Sequence, residues 1–406
     1  MTNKVILIVC DGLGDRPIPE LGNLTPLESA KTPNLDKLAE RSITGLMDPI
    51  GVGIRPGSDV SHLSILGYDS REYYHGRGPI EAAGVGIDLQ KGDIAFRGNL
   101  GTVDEHLVIK DRRAGRIEST AELIKDIDGT VIDGVKFILK PGTAHRVGVV
   151  MRGNNLSSKI SDSDPHEVGQ NVRKVLSLDN SKEAKFTADV LNKFLDKSHK
   201  ILKEHPFNKK RIKDGLLPGN YLLLRGAGYV ADIPPFEKRY ELKAACVAGA
   251  GLYKGISRLL GMDVINVEGA TGLPNTNVRA KLETAKNFLD KYDFVFVHIK
   301  AADSLGEDGN FVEKKKFIEK IDSAMEVLLD VDALVVVTAD HSTPCELKMH
   351  SGDPVPILMC GRGIRKDSVN KFGERDCANG GLGRIKGLDV MNEILNIIGK
   401  AHLQGA

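Results

Sequence analysis

The sequence predicts an α/β protein whose main sheet is interrupted by a smaller α+β domain. Three observations carry this reading. Short apolar runs rich in β-branched residues, such as Val5-Ile6-Leu7-Ile8-Val9-Cys10 and Ala333-Leu334-Val335-Val336-Val337-Thr338-Ala339, read as buried strands. Near both ends of the chain such runs alternate with helical patterns. In between, from about Tyr74 to about Pro235, the strands are shorter and alternating, as in Phe137-Ile138-Leu139 and Arg146-Val147-Gly148-Val149-Val150-Met151.

Taken in order, the first strand ends at Asp11-Gly12. Thr32-Pro33 then announces a helix through Leu35, Leu38 and Ala39, with a capping residue before a proline in the first turn. A strand-like piece from Gly45 to Ile50 precedes the loop Arg55-Pro56-Gly57-Ser58-Asp59-Val60-Ser61-His62. The middle region adds a long amphipathic helix around Thr187 to Glu204. After Pro234-Pro235 the pattern predicts a helix around Ala244 to Leu260, a strand Asp263 to Val267 and a helix Asn277 to Lys291. A strand Phe294 to Ile299, a helix Phe311 to Leu329 and the strand before Asp340 complete the series. The expected organisation is a discontinuous core of residues 1–72 and 236–406, with residues 73–235 as the inserted domain.

Composition bounds the function. The chain has 406 residues, enough for one large or two ordinary domains. It is 41% hydrophobic and 27% charged, as soluble globular proteins are. A formal net charge of +1 argues against electrostatic capture of nucleic acid or a membrane surface. No apolar stretch approaches the length of a membrane span, and the first strand begins too early to leave room for a signal peptide. The five cysteines, Cys10, Cys246, Cys345, Cys360 and Cys377, show no paired metal-ligand spacing. They read as reduced thiols, so a cytoplasmic location is expected.

The chemistry concentrates at strand ends, the edge where α/β sheets bind ligands. Asp11 follows the first strand. Asp303 and Glu307 follow the strand ending at Ile299, one helical turn apart. Asp340 and His341 follow a third strand, and His350 lies before the run Val355-Pro356-Ile357-Leu358-Met359-Cys360. Any one of these alone reads as a cap, turn or structural residue. Together, mixed carboxylates and imidazoles suit Mn²⁺, Zn²⁺ or Co²⁺ and, less well, Mg²⁺. Ser58 is the candidate nucleophile, because a metal ion can activate a hydroxyl. Ser58 followed by Asp59 and the apolar positions Val60, Leu63 and Leu66 is also a helix start, and the two roles are compatible.

Asp11-Gly12, the Arg55 to Leu63 segment, Asp303 within His298-Ile299-Lys300-Ala301-Ala302-Asp303, Thr338-Ala339-Asp340-His341 and His350 resemble the alkaline-phosphatase superfamily. More narrowly, with Gly76-Arg77-Gly78-Pro79, Asp111-Arg112-Arg113-Ala114-Gly115-Arg116 and Leu222-Leu223-Leu224-Arg225-Gly226, they resemble the archaeal-type cofactor-independent phosphoglycerate mutases. The resemblance implies an alkaline-phosphatase-like core sheet with helices on both faces. It implies two divalent ions, one held by Asp303, Glu307 and His350 and the other by Asp11, Ser58, Asp340 and His341. The family usually has histidine at the position of Glu307; glutamate is a competent ligand and shifts the expected preference toward Mn²⁺. The implied reaction interconverts 3-phosphoglycerate and 2-phosphoglycerate through a phosphoserine on Ser58, without 2,3-bisphosphoglycerate.

A phosphorylated small acid carries two anionic groups suited to arginine. By family position the inserted domain supplies Arg112, Arg113, His145, Arg146 and Arg225, and Lys254 corresponds to the lysine that contacts phosphate. Read alone, each of these is a solvated surface charge, and Asp111-Arg112-Arg113 a charged turn. A metal-dependent phosphomonoesterase or phosphodiesterase, or a phosphopentose mutase, would use the same core. A binding protein that has lost one ion, with Glu307 as its hint, is the remaining alternative.

Overall fold

The run Val5–Cys10 lies at the centre of an eight-stranded sheet in a computed structural model of the chain, which describes residues 3–403 and 405. The strands in chain order are β1 (Val5–Cys10), β2 (Ser42–Asp48), β3 (Ile94–Val103), β4 (Ile109–Asp111), β5 (Val131–Ile132), β6 (Val135–Pro141) and β7 (Arg146–Arg152). They continue with β8 (Tyr221–Tyr229), β9 (Ala244–Val247), β10 (Asp263–Ile265), β11 (Phe294–Ile299), β12 (Leu334–Thr338), β13 (Val355–Cys360) and β14 (Gly383–Lys386). The chain divides into two compact units, Met1–Tyr73 with Pro234–Ala406, and Tyr74–Ile233.

In the first unit the strand order is β10-β9-β11-β1-β12-β13-β2-β14. Every residue of β1, β11 and β12 is buried, which is why these strands read as unbroken apolar runs rather than alternating ones. Each buried Val, Leu or Ile there contributes about 1.5–3 kcal/mol relative to leaving it in water. β1 runs parallel to both β11 and β12, with Val9 opposite His298 on one side and Thr338 on the other. That register brings Asp11, Lys300 and Asp340 out at the same level of the sheet.

β13 runs antiparallel to β12 and to β2. Its beginning therefore lies at the edge where β1, β11 and β12 end, and the loop before it delivers His350 there. The expected helix from Ala244 begins instead as a strand: Ala244–Val247 forms β9, paired between β11 and β10, and the helix spans Gly251–Leu259. Four small apolar residues ended by Ala248-Gly249 fill a narrow buried slot, and periodicity does not separate so short a strand from a helix.

In the second unit β3 pairs with β4, β7 and β8, and the sheet continues through β6 to β5. The helix Lys182–Glu204 is capped by Ser181, whose hydroxyl accepts from Ala184 N–H, and buries Val190, Leu191, Phe194 and Leu195 in the main core. Phe194 stacks on Phe137 of β6 with ring centroids 3.8 Å apart. A smaller apolar cluster of Ala82, Ile87, Ala95 and Val150 includes Ala82 from the helix Gly78–Gly84 and Ala95 from β3. Phe194→Ala is expected to destabilise this unit by about 3–5 kcal/mol. Hydrogen–deuterium exchange should show β6 amides losing protection while those of β1 keep theirs.

Candidate functional site

Asp11, Asp340 and His341 are fully buried at the carboxyl edge of the first sheet and Asp303 is nearly so. Gly12, at φ +67°, turns the chain immediately after Asp11; a Cβ there would come within 2.5 Å of Asp303 Cα, so only glycine lets the two aspartate segments meet. Ligand-capable atoms converge in two groups, Asp11 with Asp340 and His341, and Asp303 with His341 and His350, each within 4.8 Å. Ser58 heads the helix Ser58–Ile65, and its Oγ is 3.2 Å from His341 Nε2. The serine is thus both a helix start and a neighbour of the first group.

Second contacts fix how these side chains point. Thr343 Oγ1 donates to Asp303 Oδ1 at 2.9 Å and lies 3.0 Å from His341 Nδ1. A hydroxyl has one proton, so His341 Nδ1–H donates to Thr343 and its Nε2 faces the group. His350 Nδ1 donates to Pro56 O at 2.9 Å, which leaves Nε2 at 3.4 Å from Asp303 Oδ1. Asp11 Oδ2 accepts from Tyr253 Oη and, at 3.0 Å, from His298 Nε2. Gly12 N–H donates to Asp340 Oδ1 at 3.2 Å. The other oxygens, Asp11 Oδ1 and Asp340 Oδ2, are buried without a hydrogen-bond partner and lie 3.4 and 3.2 Å from His341 Nε2. Orphaned buried carboxylate oxygens beside an imidazole nitrogen are a ligand set that fits a divalent cation.

The electrostatics point the same way. Burial pushes the Asp11 carboxyl up, but Lys300, His298 and His341 outweigh it and hold it well below the usual range. Burial likewise raises Asp303, which His350 and Lys300 then bring down to about 2. Burial depresses His341, yet Asp340, Asp11 and Asp303 raise it to about 9. Lys300 donates to Asp303 Oδ2 at 2.8 Å and to Asp11 Oδ2 at 3.4 Å. The field of this edge favours positive charge.

Glu307, the last residue of the helix Ala301–Glu307, is exposed and lies outside both ligand groups. Its carboxyl is raised by burial and by Asp303 and lowered by Lys300 and His350, so it senses the second group. Lys254 is half-buried on the helix Gly251–Leu259 and bonds Asn266 Oδ1 at 3.1 Å; burial lowers its ammonium.

In the second unit Arg112 makes a two-pronged bond to buried Asp164, at 3.2 and 2.6 Å. Arg225 Nη1 lies 3.1 Å from His166 Nδ1, and His166 N–H donates to Asp164 Oδ1 at 2.9 Å. Arg113 and Arg146 are exposed and His145 is half-buried. Asp111 Oδ1 accepts from the amides of Arg113 and Gly115 at 2.6 and 3.0 Å, so this segment is also the charged turn that its composition suggests. Burial, then Arg146, Arg113 and Arg97, push His145 down to about 4.

Several participants escaped the sequence reading. Tyr253 falls on a helix face that reads as core, His298 reads as one more residue of β11, and Thr343 carries no motif of its own. Lys300 had a usable signal, a lysine immediately after a buried, mostly apolar strand.

A family model described as 2,3-bisphosphoglycerate-independent phosphoglycerate mutase matches residues 39–208. A relative from Methanocaldococcus jannaschii named 2,3-bisphosphoglycerate-independent phosphoglycerate mutase 1 is 49% identical over 409 residues, 99% of each chain. The solved structure of a Pyrococcus horikoshii protein is similar with a TM-score of 0.85 at 40% identity, covering 100% of both chains. That of the cofactor-independent phosphoglycerate mutase from Thermoplasma acidophilum has a TM-score of 0.76 at 42% identity, covering 98% of this chain and 100% of the other.

His145 makes stability depend on pH. Its folded pKa of about 4 lies below the ordinary 6.5, so between these values the unfolded chain binds a proton that the folded chain does not. Stability present above pH 6.5 is lost as pH falls toward 4. Denaturation curves should show the wild type losing more stability than His145→Gln across that window, and parallel curves would contradict the assignment.

Proposed function

Because the chain belongs to the family of 2,3-bisphosphoglycerate-independent phosphoglycerate mutases, we propose that it interconverts 3-phosphoglycerate and 2-phosphoglycerate through a phosphorylated Ser58. The observation that carries the reading is the placement of Ser58 Oγ 3.2 Å from His341 Nε2, beside the bare oxygens of Asp11 and Asp340. Asp11, Ser58, Asp340 and His341 would hold one divalent ion, and Asp303, His350 and Glu307 the other. Glu307 is included because it lies one turn from Asp303 and already feels Asp303 and His350. Mn²⁺ is the proposed ion, with Zn²⁺, Co²⁺ and Mg²⁺ as alternatives, because the ligand set is rich in carboxylate oxygen. Bound ions would favour the Ser58 alkoxide and neutralise charge on the phosphoryl oxygens.

Ser58 Oγ attacks phosphorus, the bond from phosphorus to the glycerate oxygen breaks, and that oxygen takes up a proton. The other glycerate hydroxyl then attacks the phosphoserine and loses its proton as the Oγ–P bond breaks. No outside phosphoryl donor is needed, in keeping with independence from 2,3-bisphosphoglycerate. The first-turn amides of the Ser58–Ile65 helix favour a phosphate carried at its head. Lys254 is proposed to contact the phosphoryl group. Arg112, Arg113, His145, Arg146 and Arg225 are proposed to bind the substrate acid. The five free cysteines, four of them buried, support work in a reducing cytoplasm.

An enolase-coupled assay with 3-phosphoglycerate and Mn²⁺ tests the reading. Wild type should isomerise, and Ser58→Ala should lose activity by a factor on the order of 10⁴–10⁶. Release of free phosphate from esters with no isomer formed would make the protein a hydrolase instead. Tyr253 should matter through Asp11 alone: Tyr253→Phe should weaken Mn²⁺ binding by about 10–100-fold in chelator competition while the ion-free protein melts as before. Unchanged affinity would remove Tyr253 from that role.

A further inference from the structure

We propose that Lys314 is a positioning residue for both ion sites, a buried ammonium that joins the loop after β1 to the loop after β12 and so sets where Asp303 and His341 stand. The inference rests on the two-ion reading given above and concerns a residue outside the motifs quoted for the family.

Lys314 belongs to the helix Phe311–Met325, which Asn310 caps by accepting from Glu313 N–H at 3.1 Å. The positions three, four and seven residues farther on, Phe317, Ile318 and Ile321, are all buried, so Lys314 stands on the apolar face of this helix. Lys316, by contrast, is exposed and pairs with Glu313 at 2.7 Å. The Lys314 side chain is 0% exposed, and that of its partner Asp15 is 1% exposed. Burying two charges is costly, and apolar side chains of similar volume often serve stability as well or better. Stability alone is therefore a poor reason for this lysine. What its ammonium holds is a better one.

The ammonium has three hydrogens and finds three acceptors. Nζ donates to Asp15 Oδ2 at 2.9 Å, to Gly14 O at 3.1 Å and to Thr343 O at 2.9 Å. Gly14 and Asp15 lie just beyond Asp11, and Thr343 lies two residues beyond His341. The same two loops meet where Thr343 N–H donates to Gly14 O at 3.0 Å and where Cys345 N–H donates to Asp15 at 3.1 and 3.3 Å. Thr343 is the residue through which the tie reaches the ligands. Its Oγ1 donates to Asp303 Oδ1 at 2.9 Å and lies 3.0 Å from His341 Nδ1. Asp303 belongs to one ligand group, and His341 belongs to both. A displaced Thr343 therefore moves a ligand in each group, although Lys314 touches none of them. Outer contacts of this kind orient metal ligands and tune ion affinity.

The test uses the full chain, stripped of ions, with melting in the ion-free state and Mn²⁺ titration by chelator competition. Lys314→Met leaves Asp15 buried and unpaired and should lower the Tm of the ion-free chain. Combining it with Asp15→Asn removes both charges, and asparagine still offers Oδ1 to Cys345 N–H. That double variant keeps the pair's net charge at zero, so a change in ion affinity reports geometry and not the local field. It should melt near the wild type yet bind both Mn²⁺ ions about 10-fold more weakly. Wild-type affinity in the double variant, or weakening of one ion alone, would overturn the assignment. Thr343→Val, which keeps the shape and removes only the hydroxyl, must also weaken both ions; if it weakens neither, the route through Thr343 is wrong. The double variant carries the test if Lys314→Met does not fold. A wild-type chain that binds fewer than two Mn²⁺ ions would instead remove the two-ion reading itself.

Discussion

Mutual repulsion among Asp11, Asp303 and Asp340, gathered at one sheet edge almost without water, is the constraint that orders the first unit. Two such charges 4 Å apart at an effective dielectric near 20 cost about 4 kcal/mol, so the fold must hold them in place and surround them with donors. It does both. Gly12 removes the side chain that would keep Asp11 and Asp303 apart, Lys300 contacts both Asp11 and Asp303, and His298, Tyr253, Thr343 and the Gly12 amide each contact one of the carboxylates. What these donors leave uncovered, Asp11 Oδ1 and Asp340 Oδ2, faces His341 Nε2, itself 3.2 Å from Ser58 Oγ. The nucleophile candidate is therefore placed by the same arrangement that contains the repulsion.

The second unit shows the opposite sign. Arg97 faces Arg225 within the sheet, and Arg77 and Arg97 share Glu81. Arg112 is less available, since Asp164 holds it at two points and is itself fully buried. The distinction separates a guanidinium with a structural partner from one whose donor has none. A list of arginines in the sequence does not contain that information.

Legibility followed the physics of each signal. β1, β11 and β12 were readable because strands buried on both faces are apolar throughout, and the polar residues that end them therefore stand out. The helix beginning at Ser58 was readable because a serine followed by Asp59 and spaced apolar residues is a local signature. β9 was not, because four small apolar residues carry no resolvable period. The exposure of Glu307 was not readable, because a one-turn spacing to Asp303 fixes a helix face and not burial, and the glutamate lies exposed at the helix end.

The sequence by itself determined the α/β class, the polar strand ends at Asp11 and Asp340, the aspartate Asp303 shortly after a third strand, the serine at a helix start and the abundance of arginine in the middle region. These depend on local periodicity and residue type, which neighbouring residues in the chain supply. The tertiary structure alone decided that β13 runs antiparallel and so delivers His350 to the same edge, and that Tyr253 and His298 fix Asp11. It also decided which buried polar atoms are left without hydrogen-bond partners, Asp11 Oδ1 and Asp340 Oδ2 among them. Those outcomes depend on strand direction, register and burial, and each is set by contacts between segments far apart in the sequence.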